Sequence, residues 1–133
     1  MKTKAILGLA EVNTILDAAQ HEAEANQWTI TVAVADDSGE LLGLRRLDGA
    51  SPMTAMISAR KARTAALSYK ETQFFENMIN EGRTAFLSAP LEGLLEGGVP
   101  VVVDGRVIGA VGVSGVKADQ DAQVAKAGIA AVL

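Results

Sequence analysis

The spacing of apolar residues changes period several times along this chain, and each change marks an expected element. From Leu9 to Gln27, residues Val12, Ile15, Leu16, Ala19 and Ala23 recur every three or four positions, with Glu11, Asp17, Glu22 and Glu24 off that line. This predicts an amphipathic opening helix, closed by Asn26 and Gln27. Trp28 to Ala35 is alternating and β-branched, as a strand should be. Asp36-Asp37-Ser38-Gly39 is a dense turn signal and Glu40 to Leu47 resumes an apolar run, so the two flanks predict a β-hairpin.

Ser51 followed by Pro52 predicts a capped helix start, and the helix should run to about Tyr69. Its Ala55, Ala59, Ala62 and Ala66 form a smooth seam that can approach a sheet or helix closely. A shorter helix is expected around Thr72 to Asn80, closed by Glu81-Gly82, and Arg83 to Gly98 is the least regular stretch. Val99 to Val103 and Arg106 to Val113 flank Asp104-Gly105, the strongest hairpin signal in the sequence. Asp119 and Asp121 belong to the first turn of a closing helix that Gln123 to Val132 completes.

The order helix, hairpin, helices, hairpin, helix predicts an α/β protein of the α+β kind, an antiparallel sheet of two hairpins faced by helices. With 133 residues and no linker or low-complexity tract, one domain spanning 1–133 is expected. Apolar residues make up 49% of the chain but aromatics only 4%, so the core must pack closely through Ala, Val, Leu and Gly. That apolar content exceeds what one small core readily covers, and a homo-oligomer is expected.

The net charge of -4 and the lack of a basic patch beyond Arg45-Arg46 and Arg60-Lys61-x-Arg63 argue against nucleic-acid binding. The absence of cysteine excludes disulfides, thiolate catalysis and iron-sulfur clusters, and one histidine excludes a multi-histidine metal site within one chain. No run of about 18 apolar residues exists to span a membrane, and Met1 to Ala10 lacks the pattern of a secretory signal. The expected location is cytoplasmic.

Candidate chemistry is sparse. Gly97, Gly98 and Pro100 place two flexible residues before a rigid one, which serves a tight strand entry or lets backbone amides approach a ligand. Gly109, Gly112 and Gly115 leave parts of a strand without side chains, facing either the alanine seam or a flat ligand. Ser114 and Gly115 precede the last helix, whose free amides could hold a carboxylate, with Arg60, Lys61 or Arg63 adding positive charge and Thr64 a hydroxyl. A small anionic molecule is therefore a plausible partner. His21, among Gln20, Glu22 and Glu24, is either surface decoration or an axial iron ligand or proton carrier; Met53, Met56, Met78 and Tyr69 are weaker ligands. No catalytic triad or carboxylate pair can be assembled from spacing.

Several of these segments together carry a resemblance. Val32–Asp36 with Gly39, Arg45–Asp48, Lys61–Ala65, Glu96–Pro100, and Gly109–Gly115 followed by Gln120-Asp121 are similar to the motifs of the GlcG/HbpS-like haem-binding family, over nearly the whole chain and in the same order. The match looks closest to the GlcG branch encoded with glycolate-utilisation genes. The resemblance implies a profilin-like α-β-α fold, homo-oligomers and, in some members, haem or tetrapyrrole binding, including a domain attached to PduO-type corrinoid adenosyltransferases. In a haem-binding reading of this chain, His21 is the candidate iron ligand, Arg60 and Lys61 pair with the carboxylates, and Gly97, Gly98 and Ser114 shape the cavity. Two other readings stand beside a haem-binding accessory role: a binding protein or enzyme for a small hydroxy or oxo acid, with Lys61 or Arg60 on its carboxylate and Asp36 or Asp121 moving a proton, and a purely structural oligomeric scaffold.

Overall fold

The computed structural model describes residues 1–133. Helix α1 (Leu9–Ala25) precedes strands β1 (Thr31–Asp36) and β2 (Leu41–Arg46), then helices α2 (Pro52–Ser68) and α3 (Gln73–Asn80). A 3-10 turn at Thr84–Ser88, strands β3 (Gly98–Val103) and β4 (Arg106–Ser114) and helix α4 (Ala118–Ala130) complete the chain. The expected elements all form. Strand β1 begins three residues later than its pattern suggested, because Gln27 adopts a left-handed conformation and the N–H of Trp28 still bonds back to Ala23. Ser51 caps α2 through its backbone alone, accepting from the amide and hydroxyl of Thr54.

The two hairpins join through β1 and β4 into one antiparallel sheet of order β2-β1-β4-β3. Its two faces differ in side-chain size, and this decides the layers. Val32, Val34, Val99, Val101, Val111 and Val113 pack with Val12, Ile15 and Leu16 of α1 and Val124 and Ile129 of α4 in the main core. Ala33, Ala35 and Ala110 lie on the other face against Ala62, Ala65 and Ala66 of α2. Small residues on both sides let α2 settle close to the sheet. A Cβ on Gly112 would come within 2.1 Å of the Ser58 carbonyl oxygen, so helix backbone fills the space that this glycine leaves. The bared strand therefore offers no seat for a flat ligand: α2 covers Gly112, the carbonyl of Ala35 meets Gly109, and Thr29 and Ile30 meet Gly115. The seam itself is shifted, with Ala62, Ala65 and Ala66 buried and Ala55 and Ala59 only half-buried.

Candidate functional site

Helix α2 carries two different sets of polar side chains, one turned inward and one outward. Lys61 turns inward. Its ammonium donates to Val113 O at 2.9 Å and to Asp121 Oδ2 at 3.1 Å, where α4 meets the end of the sheet. The other Asp121 oxygen accepts the Val116 amide at 3.1 Å. Burial pushes the Asp121 carboxyl up to about 6, against the opposing pull of the Lys61 charge and the Val116 hydrogen bond.

Gly97 and Gly98 belong to this junction. At a φ of +132°, a Cβ on Gly97 would sit 2.8 Å from Lys61 Nζ, and one on Gly98 would sit 2.5 Å from Lys61 O. Thr72 ties the same strand entry down, its amide donating to Gly98 O and its hydroxyl accepting the Gly98 amide at 2.8 Å. Helix α2, the Gly97-Gly98 entry and the end of β4 at Ser114 thus converge. Nevertheless, the junction is closed, since every buried side-chain nitrogen and oxygen has a hydrogen-bond partner and no cavity opens there. Lys61 is a structural cation in this arrangement and does not present its charge to an outside carboxylate.

Arg60 and Arg63 are exposed, Arg63 reaching Glu40 in the β1–β2 turn, while Thr64 is buried beneath the segment between α3 and β3. The Thr64 hydroxyl donates to the Glu92 carbonyl oxygen, and Arg60 pairs with the Glu92 carboxylate at 2.6 Å. Gly93, at a φ of +67°, lets this loop press onto α2; a Cβ there would lie 2.7 Å from Lys61 N. Two adjoining recesses result, sharing Leu91 and Glu92. One is a cleft of about 380 Å³ walled by Ile79, Leu87, Leu91, Leu94 and Leu95, with Glu76 and Asn80 at its rim. The other, about 70 Å³, is lined by Arg60, Arg63, Thr64 and Pro90. An apolar slot with cationic groups at one end suits an amphiphile that carries carboxylates.

Of the residues singled out from sequence, Arg60, Arg63 and Thr64 line the smaller recess, and none lines the leucine-walled cleft itself. Lys61, Gly97 and Gly98 form the closed junction, and Ser114 is buried beside it, opposite Thr31 of β1. Pro100 sits in β3 opposite Ala110, and Gly115 rests on Thr29 and Ile30. His21 is exposed on α1, in the helical layer across the sheet from α2, and borders none of these recesses. The apolar walls were missed in the sequence because Leu87, Leu91, Leu94 and Leu95 follow no helical or strand period. Their signal was the leucine density of an otherwise irregular stretch.

The family model described as haem degrading protein HbpS-like matches residues 7–130. The chain is 59% identical over 114 residues to Protein GlcG of Escherichia coli K12, covering 86% of this chain and 85% of that protein. The fold matches a double mutant of Streptomyces reticuli HbpS at a TM-score of 0.88 and 30% identity, covering all of this chain and 91% of the other. It also matches a structure described as a PduOC:heme complex at a TM-score of 0.86 and 25% identity, covering 96% and 95% of the two chains.

Proposed function

We propose that this chain, which belongs to the HbpS-like family, is a binding protein for haem or a related tetrapyrrole, seated in the cleft between α3 and the segment leading to β3. The observation that carries this reading is the leucine-walled cleft of about 380 Å³ opening beside Arg60 and Arg63. A relative of the same fold is described as a haem complex, which supports the ligand class. The apolar walls would exclude water from one edge of the macrocycle, and the two guanidinium groups would hold its carboxylates.

Both arginines already have carboxylate neighbours, Arg60 with Glu92 at 2.6 Å and Arg63 with Glu40 at 3.0 Å. These pairs are roughly half-exposed or more, and such pairs contribute only about 0.2–1 kcal/mol, so a ligand carboxylate can exchange into them at small cost. Bound haem would supply its iron, whose axial partner decides its chemistry. No histidine, methionine or tyrosine lines the cleft. His21 remains the proposed iron ligand from sequence and stands apart from the apolar seat, so the two parts of the proposal are tested separately.

The test is a ferric haem titration followed by the Soret band, run on the wild type, Arg60→Ala/Arg63→Ala and His21→Ala. Saturable binding weakened about tenfold or more by the double arginine change supports the cleft. A Soret maximum that moves in His21→Ala at unchanged stoichiometry supports His21 ligation. No saturable shift in the wild type overturns the haem reading. The 70 Å³ recess of Arg60, Arg63, Thr64 and Pro90 favours a second reading, a small hydroxy or oxo acid. A rise in melting temperature with glycolate or glyoxylate, lost in the arginine variant, would favour that reading over haem.

A further inference from the structure

The Arg45–Asp48 segment takes no part in the haem cleft, yet it borders a recess of its own. This recess, of about 460 Å³, lies where the last turns of α1 meet the end of β2, and it shares no residue with the leucine-walled cleft or with the Arg60–Arg63 recess. Gln20, Glu24, Gln27, Trp28, Arg45 and Asp48 supply its chemistry. Arg46 stands opposite Thr31, whose hydroxyl meets Thr54 of α2, so its side chain is turned to the other face of the sheet. Arg45 is therefore the one cation of this wall.

The wall is organised by its own hydrogen bonds. Arg45 Nη1 donates to Asp17 Oδ1 at 2.8 Å and to Gln20 Oε1 at 2.9 Å, and Gln20 Nε2 donates to Glu24 Oε1 at 2.6 Å. These bonds fix three planar groups across the α1–β2 seam and leave the second terminal nitrogen of Arg45 and the second oxygen of Glu24 unused. Trp28 packs partly on the main core and is half-buried, its indole N–H unbonded but open to solvent. Gln27 sits at a φ of +59°, just past the end of α1, where glycine is usual, so the chain accepts a strained backbone while keeping an amide side chain at the rim. We infer that this recess binds a small neutral sugar, with the apolar face of a pyranose ring on Trp28 and its hydroxyls on the planar polar groups. This inference is independent of the haem reading.

The chemistry of the wall chooses this ligand class. A guanidinium, an amide and a carboxylate each present two coplanar polar atoms, which suit adjacent ring hydroxyls, and a hydroxyl both donates and accepts. An anion is disfavoured, because the Arg45 charge is already answered by Asp17 at 2.8 Å while Glu24 and Asp48 have no cationic partner. An ammonium group would suit those carboxylates but has no acceptor for the N–H groups of Gln20, Gln27 and Arg45. A cation needs the charge of Glu24, whereas a sugar needs only its hydrogen-bonding atoms. Tryptophan supplies a large apolar face beside a polar N–H, which matches a ring whose faces are C–H and whose rim is hydroxyl.

Trp28 is the only tryptophan of the chain, so its emission reports on the recess directly. The experiment titrates the full chain with glucose, galactose, mannose and N-acetylglucosamine, follows that emission, and repeats the titrations by calorimetry, with choline and glycolate as the cation and anion probes. A saturable change with at least one sugar, at a Kd of about 1–10 mM, is the expected result. Gln20→Ala/Glu24→Ala should weaken binding about tenfold, while Glu24→Gln, which keeps the hydrogen-bonding shape, should stay within about threefold of wild type. Asp48→Ala, in the turn after β2, leaves α1 untouched and should also weaken binding, so the test does not depend on the helix variant folding. No saturable change with any of the sugars overturns the inference, as does sugar binding that neither alanine variant moves. Saturable binding of choline or glycolate without any sugar overturns it too, and for choline a loss in Glu24→Gln would mark the recess as a cation site.

Discussion

Lys61 and Asp121, sixty residues apart in the chain, meet at 3.1 Å with their side chains only 4% exposed each. A cation from one helical layer and an anion from the other are joined past the end of the sheet. Removing one partner of such a pair strands the other charge in an apolar setting, a loss of about 3–5 kcal/mol. Lys61→Met should therefore lower stability by that order in urea unfolding, while Lys61→Met/Asp121→Leu should recover much of the loss. A single variant within about 0.5 kcal/mol of wild type would falsify the structural role given to the pair.

The same aspartate gives stability a pH dependence of defined sign. Its pKa is about 6 in the folded chain against an ordinary 3.8. Between those values the folded state holds a proton that the unfolded state has released. The contribution of this group is therefore fully present below about pH 4 and is lost as pH rises to about 6. The size is on the order of 1–3 kcal/mol. Comparing unfolding free energies of wild type and Asp121→Asn at intervals across that range isolates the effect: the difference between them should change with pH below 6 and level off above it.

Gly112 and Gly105 separate two reasons for a glycine. A Cβ at Gly112 meets helix backbone at 2.1 Å, whereas one at Gly105 meets nothing within 4 Å and suffers only from a φ of +74°. Gly112→Ala should cost about 3 kcal/mol or more by pushing α2 off the sheet, and Gly105→Ala only about 1–2 kcal/mol. Thermal melting of the two variants ranks them, and the reverse order would mean that α2 has room to move.

Thr64 should affect the cleft through its loop. Its hydroxyl is the side-chain tether from α2 to the Glu92 backbone. Thr64→Val keeps the shape and removes the tether, for an expected loss of about 1 kcal/mol in stability. Faster proteolysis within residues 83–97 than in wild type is the distinguishing readout. Ligand affinity should fall as well, because the walls at Leu91, Leu94 and Leu95 lose their fixed position.

Most of the fold could be read along the chain, because each element announces itself locally. Asp104-Gly105 marked the β3–β4 turn, Ser51-Pro52 the start of α2, and the Val12 to Ala23 spacing the buried stripe of α1. The site was less legible. Arg60 and Thr64 were found as a cation and a hydroxyl one turn apart, but Lys61, adjacent in sequence, looked equivalent to Arg60. Their separation depends on which side of α2 faces the sheet, and alanines on several sides of that helix left its orientation open.

What the sequence determined by itself was therefore the succession of helices and hairpins, the antiparallel pairing within each hairpin, the close-packed core and the family to which the chain is similar. These follow from side-chain periodicity, turn chemistry and motif order, which act over a few residues at a time. Only the tertiary structure decided that β1 lies beside β4, that Lys61 is spent on Asp121, that backbone covers the bared glycines, and that four leucines of an irregular segment wall a cleft next to Arg60. Those outcomes depend on packing between elements far apart in the chain, where the small side chains of Ala33, Ala35, Ala110 and Gly112 set how closely α2 approaches and hence which of its faces remains open to a ligand.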